Sequence, residues 1–150
     1  MRVRFMALER GGRRPSLPQR GSAEAAGLDL AAFLDAPVTL APGQRALIPT
    51  GLVMALSEGT CGFVMARSGL ALRHGVAMAN GVGLVDSDYR GELCVPVINQ
   101  GQEPFTVEDG MRVAQLVVMR HEIVEPVLCE TLDETERGTG GFGSTGVQKL

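Results

Sequence analysis

The sequence predicts an all-β sandwich or barrel of short strands, on three observations. Short apolar runs recur at intervals of about 8–12 residues with turn-forming residues between them, the spacing of such folds. Glycine is abundant, with 20 in 150 residues, which fits a chain that turns often. No window holds a helical apolar stripe over three turns; only Ser68 to Leu72 reads as a single helical turn.

The runs follow in order. Arg2 to Leu8 reads as a first strand, and Arg10 to Ser22, with Gly11, Gly12, Pro15 and Pro18, as a loop. Leu28 to Phe33 is apolar but for Asp29. Val38-Thr39-Leu40 runs into Ala41-Pro42-Gly43, a strong turn signal. Ala46 to Leu56 is two apolar runs parted by Pro49-Thr50-Gly51, and Gly62 to Ala66 is another. Gly81 to Glu92 reads as a β-hairpin with an acidic turn. Leu93 to Ile98 ends at Asn99-Gln100-Gly101, and Phe105-Thr106-Val107 leads to Asp109-Gly110. Val113 to Met119 is the clearest buried strand, and Ile123 to Leu128 is a further apolar run.

The end of the chain differs. Thr131 to Glu136 is acidic and polar, and Arg137 to Gly146 is dense in glycine. Such a segment cannot pack a core of its own and is expected to be flexible. The expected organisation is one β domain over residues 1–136 and a flexible glycine-rich tail over 137–150; the family resemblance described below implies that this tail is a lid.

Composition excludes several classes of function. Net charge is −3, so no overall basic field attracts nucleic acid. No apolar stretch approaches the ~18–20 residues of a membrane helix, and no signal-peptide core follows Met1-Arg2-Val3-Arg4-Phe5. Cys61, Cys94 and Cys129 are far apart, odd in number and form no CxxC pair. Neither a zinc site nor a disulfide framework is expected, which points to a reducing compartment such as the cytoplasm.

Several residues are candidates for chemistry. Asp86 follows apolar Leu84 and Val85, and a carboxylate at such a strand end suits a general base. Asp86, Asp88 and Glu92 do not have the spacing of an EF-hand calcium loop. Ala66-Arg67-Ser68-Gly69-Leu70 follows an apolar strand and unites guanidinium, hydroxyl and backbone N–H, the parts of an anion site. Asp29 is a charge among apolar residues, either an outward-facing strand residue or a partner of metal-bound water. Gln115 stands in an apolar strand. In the tail, Arg137 suits a terminal phosphate, the glycines suit backbone wrapping of an anion, and Phe142 suits stacking on a base. Gly141 to Gly146 is not a P-loop, because Val147 stands where lysine is required. No Gly-x-Ser-x-Gly elbow occurs, and His74 and His121 share no ligand spacing.

Each motif alone is weak; their identity and order are not. Five segments, in order, resemble the signature motifs of the trimeric dUTP pyrophosphatase family: Ala26 to Leu30, Ala66 to Leu70, Gly83 to Glu92, Arg112 to Leu116 and Arg137 to Gly146. Ala66 stands where many members have proline, Val85 where isoleucine is frequent and Leu28 where tyrosine is common; none of these removes a reactive group. The resemblance implies a jelly roll assembled as a homotrimer, with sites at subunit interfaces and the tail closing over bound dUTP. It implies that Asp86 activates the water attacking the α-phosphorus. Arg67, Ser68, Gly69 and Gln115 would hold the phosphates, and Arg137 would neutralise the γ-phosphate. Mg²⁺ would bridge phosphate oxygens, with Asp29 in its outer shell through water. Asn80, Leu84, Val85 and the main chain of Cys94 would frame uracil, Tyr89 would pack under the deoxyribose and exclude a 2′-hydroxyl, and Phe142 and Gly143 would cover the nucleotide. Two other readings share the fold: a dCTP deaminase relative, which lacks this tail and hairpin pattern, and a non-catalytic nucleotide-binding trimer.

Overall fold

The computed structural model describes residues 2–141. It contains eleven strands and one helix: β1 Arg4–Ala7, β2 Gln19–Arg20, β3 Leu28–Ala31, β4 Val38–Leu40, β5 Arg45–Ala55, β6 Thr60–Ala66, α1 Ser68–His74, β7 Val76–Met78, β8 Gly83–Val85, β9 Glu92–Asn99, β10 Phe105–Val107 and β11 Arg112–Arg120. A four-stranded sheet runs β1-β5-β9-β7, a five-stranded sheet runs β2-β3-β11-β6-β8, and β10 pairs with β4. Every pairing is antiparallel. The result is an all-β sandwich, as the spacing of turns predicts, with the jelly-roll architecture that the resemblance implies.

The core lies between the two larger sheets, because each buries one face. Leu93, Val95 and Val97 of β9 are buried, while Cys94, Pro96 and Ile98 alternate with them and are only partly covered, the period-2 pattern of a sheet with one face in the core. Leu30 of β3, Ile48 and Met54 of β5, Val64 of β6, and Ala114 and Leu116 of β11 close the cluster. Asn99, fully buried, donates to the carbonyls of Leu40 and Glu103 and accepts from Gly101 N–H. Its polar atoms are satisfied, as burial requires.

Four sequence expectations change. Ala46 to Leu56 is not two runs: all of it but Leu56 lies within one strand, β5, whose pairing with β9 shifts register between Pro49 and Val53. Gly51, with φ of 69°, and Pro49 are accommodated in that irregularity instead of ending the strand. The expected hairpin over Gly81 to Glu92 does not form: β8 pairs with β6, and β9 pairs with β5 and β7. The chain crosses from one sheet to the other at each end of β8, because each short strand pairs with a different, longer one. The helical turn extends to seven residues, stopped at Gly75 with φ of 69°. Ile123 to Leu128 forms no strand; Ile123, Val124, Val127 and Leu128 are all exposed.

Candidate active site

Two concave surfaces gather nearly all the candidate residues, and they share no lining residue. The first, about 360 Å³, is lined by Asn80, Gly83, Leu84, Val85, Asp86, Tyr89 and Cys94, against a wall of Leu47, Val64, Met78 and Pro96. The second, about 620 Å³, is lined by Asp29, Arg67, Ser68, Gly69, Arg73, His74, Arg112 and Gln115, among others.

The first pocket is built around β8. This strand is the edge of its sheet, bonded only to β6. An edge strand leaves a row of backbone N–H and C=O groups without a sheet partner. The turn before it is tightened by Gly81 N–H bonding to Met78 O and Val82 N–H to Asn80 O. Asp86 follows directly, exposed at the strand end, and Tyr89 N–H bonds back to Asp86 O. The Tyr89 hydroxyl donates to the carbonyl of Glu92 at 3.1 Å, holding the ring across the turn. Gly91 leaves room for this: a Cβ there would collide with the Tyr89 hydroxyl. The Cys94 thiol is pushed above its usual 9.0 by burial and then by the Glu92 charge, with Arg10 acting in the opposite direction. Cys94 is therefore a neutral wall of the pocket, not a nucleophile near neutral pH.

The second surface is organised by Asp29. One carboxylate oxygen accepts from Arg67 Nε and the other from Arg112, each at 3.0 Å. Asp29 faces this surface because it pairs with Gln115 across β3 and β11, and Gln115 pairs with Met65 across β11 and β6. Arg67 also donates to the Arg112 carbonyl, and Gln115 Nε2 donates to Ala66 O at 3.0 Å. Gly27 is required beside it, since a Cβ would press on Gln115 Oε1 at 2.8 Å. Ser68 and Gly69 open α1, and Arg73 folds back along that helix to Gly69 O.

The two surfaces look in different directions. Val64 lines the first and its neighbour in β6, Met65, lines the second; successive strand side chains point to opposite faces of a sheet. The residues singled out in the sequence thus fall into two groups that a single chain keeps apart. Arg137 is exposed, lines neither surface, and bonds through Nε to Gly140 O. Phe142 and Gly143 lie outside the described residues. Sequence reasoning missed Leu47, Met78 and Pro96, apolar wall residues with no local signature, and Arg112 and Arg73, whose arginine side chains were the available signal.

Among the described residues, no group of three His, Cys, Asp or Glu side chains is placed to hold a metal, and no helix is long and apolar enough to cross a membrane.

The architecture has many counterparts. A Staphylococcus bacteriophage 80alpha dUTPase variant with dUpNHpp superimposes with a TM-score of 0.86 at 24% identity, covering 97% of this chain and 99% of that one. A variant dUTPase from phage phi11 of S. aureus, described as coordinating a structural Mg(II) ion, gives 0.77 at 19% identity over 89% of this chain and 100% of that one. These likenesses define the class, a jelly-roll β sandwich of the kind found in those phage dUTPases. The dUTPase family model matches residues 13–146. Deoxyuridine 5'-triphosphate nucleotidohydrolases of two Desulfitobacterium hafniense strains are each 56% identical over 143 residues, 95% of both chains. The chain belongs to the dUTPase family, and it is an enzyme of the dUTP diphosphatase class.

Proposed function

We propose that this protein hydrolyses dUTP to dUMP and pyrophosphate, with Asp86 as the base that deprotonates the attacking water. The observation that carries this reading is the place of Asp86. Its carboxylate stands at the mouth of a nucleoside-sized, largely apolar pocket, beside an edge strand with backbone groups to spare. Pockets of roughly 300–1,000 Å³ suit small-molecule ligands.

In this reading uracil enters the first pocket and bonds with the free backbone edge of β8 and with Asn80. Cytosine presents a donor where uracil presents an acceptor and leaves those groups mispaired; thymine carries a methyl into the wall. A steric clash or an unpaired polar group rejects strongly, whereas a merely missing methyl would not. Tyr89 lies under the deoxyribose and crowds a 2′-hydroxyl. The phosphates run to Arg67, Ser68, Gly69 and Gln115, where guanidinium, hydroxyl and N–H groups oppose their charge. Asp86 accepts a proton from the water that adds to the α-phosphorus, and pyrophosphate leaves. Arg137 neutralises the γ-phosphate, and Phe142 and Gly143 close over the nucleotide, the segment 137–150 acting as a lid on a domain formed by 1–136.

The separation of the two surfaces supports an assembly in which one copy supplies the Asp86 pocket and another the arginine surface. A homotrimer with composite sites at its interfaces meets that need. Mg²⁺ fits the donor set in one way only. With no protein cage of carboxylates among the described residues, the ion would be held mainly by substrate phosphates and water, as Mg²⁺ prefers. Each Asp29 oxygen already accepts from an arginine, and its remaining lone pairs suit a metal-bound water. When bound, the ion offsets charge on the phosphate oxygens.

The role that follows is to keep uracil out of DNA and to supply dUMP for thymidylate synthesis, in the cytoplasm, where the three free cysteines stay reduced. No nucleic acid or membrane partner is needed. The test is pyrophosphate release with Mg²⁺ from dUTP, compared with dTTP, dCTP and UTP. Release from dUTP alone is expected; dUTP binding without release would instead mean a non-catalytic nucleotide-binding trimer.

A further inference from the structure

Glu92 is a charged residue inside the first pocket whose place in the chemistry above is empty. Both its carboxylate oxygens are engaged from outside its own strand. Oε2 accepts from Arg10 at 2.6 Å, and Oε1 accepts from Gly51 N–H at 2.7 Å. Gly51 sits in the register shift of β5, which the rest of the N-terminal half grips as well: Leu8 N–H bonds to Gly51 O and Phe33 N–H to Pro49 O. The Arg10 guanidinium lies over the Phe33 ring, 5.7 Å from its centroid. Buried Thr50 Oγ1 donates to Leu93 O, tying the same irregularity to the residue after Glu92. The Glu92 side chain is 19% exposed, so this ion pair is shielded more than an ordinary surface pair.

Glu92 also faces the other way. Its carbonyl is the acceptor of the Tyr89 hydroxyl, and Tyr89 stands three residues after Asp86, to whose carbonyl its N–H is joined. The Glu92 carboxylate thus adds to the pairing of Glu92 with Val53 in tying down the residue whose carbonyl aims the Tyr89 ring, and Arg10 holds the carboxylate.

We propose that Glu92, clamped by Arg10 and by Gly51 N–H, is a positioning residue that sets Tyr89 against the sugar and so sets discrimination between deoxyribose and ribose. The inference rests on the reading of Tyr89 given under the proposed function. The chain Arg10, Glu92, Tyr89 runs from the N-terminal segment to the nucleoside pocket. Without it the turn over 86–91 keeps the bond from Tyr89 N–H to Asp86 O, but its ring is anchored less firmly. Misplacement of a positioning group by about 1 Å costs up to roughly 10²-fold in rate.

The chain provides its own probe. Tyr89 is the only tyrosine and tryptophan is absent, so ultraviolet emission reports this ring alone. Glu92→Gln keeps an acceptor for Gly51 N–H and removes the charge that holds Arg10; Arg10→Met removes the charge from the other side while keeping apolar contact with Phe33. In the full-length protein both are expected to lower the ratio of kcat/KM for dUTP over UTP by about tenfold, within the range for a displaced positioning group. Both are also expected to lower the emission anisotropy of Tyr89, and the double variant should be no worse than either single one, since the two act as a unit. Arg10→Lys, which keeps a cation opposite Glu92, should recover part of the ratio. Folded Glu92→Gln or Arg10→Met protein with the wild-type ratio and anisotropy overturns the proposal. Tyr89→Ala separates the two levels. If it erases the dUTP/UTP ratio while Glu92→Gln does not, Tyr89 keeps its role and Glu92 loses its own. If Tyr89→Ala leaves the ratio intact, the reading of Tyr89 fails and the role of Glu92 fails with it.

Discussion

The two pockets of this chain work by different physics. The Asp86 pocket is shaped mainly by backbone: an edge strand of three residues, a tight turn at Asn80-Gly81, and an apolar wall from Leu47, Met78 and Pro96. The Arg67 surface is shaped by charge, with Asp29 ordering two guanidinium groups beside Ser68 and Gln115. A backbone edge discriminates between bases because a mispaired buried donor or acceptor is costly. A set of arginines attracts any polyphosphate with little regard to what it carries. Selectivity and affinity are thus expected to reside on opposite faces of one sheet, and to be separable by mutation.

The largest break is expected on the Asp86 side. Asp86→Asn should lower kcat by about 10²–10⁴-fold, the scale of a lost general base, while calorimetric affinity for a non-hydrolysable dUTP analogue stays near wild type. Hydrolysis at the wild-type rate would remove Asp86 from its role. Next comes the lid. Deleting residues 137–150 should reduce pyrophosphate release by roughly 10²-fold, as loss of a charge-stabilising donor does, with the oligomer unchanged in sedimentation. Dissociation into monomers would place those residues in the assembly instead.

Smaller effects sharpen the contrast. Arg67→Ala should raise KM by about tenfold, near the 1.5–3 kcal/mol of a charged hydrogen bond, for dUTP and for other triphosphates alike, and raised salt should weaken binding in the same unselective way. A selective loss of dUTP alone would contradict the division between the surfaces. The smallest effect concerns Cys94. Its pKa lies above 9.0 in the fold, so the unfolded chain gives up that proton first. The stability linked to it is full below about pH 9 and falls as pH rises beyond it. At pH 8, alkylation of Cys94 should be slower than that of exposed Cys129, and a dUTP analogue should slow only the former, as read by peptide mass spectrometry.

Where the two regions differ in physics they also differ in how legible they were. Asp86, Arg67, Ser68 and Gln115 stood out because a polar or charged side chain after or within an apolar strand is conspicuous. Leu47, Met78 and Pro96 could not be found that way, because apolar residues on a strand carry no mark of which surface they line. Glu92 was visible as part of a motif, but its partners Arg10 and Gly51 are 82 and 41 positions away. Local reasoning also failed at Pro49 to Gly51, where breaker residues suggested two strands and tertiary pairing carried one strand through a bulge.

Legible along the chain were the all-β class, the positions of most strands and the candidate site side chains, since alternation, turn residues and isolated charges are properties of neighbouring positions. Long-range folding was needed to settle that Gly83–Val85 joins β6 and not β9, that Asp29 holds two arginines, and that Asp86 and Arg67 end up on different surfaces. Those outcomes depend on which distant strand wins each edge, a competition of long-range pairing and burial that no local window contains.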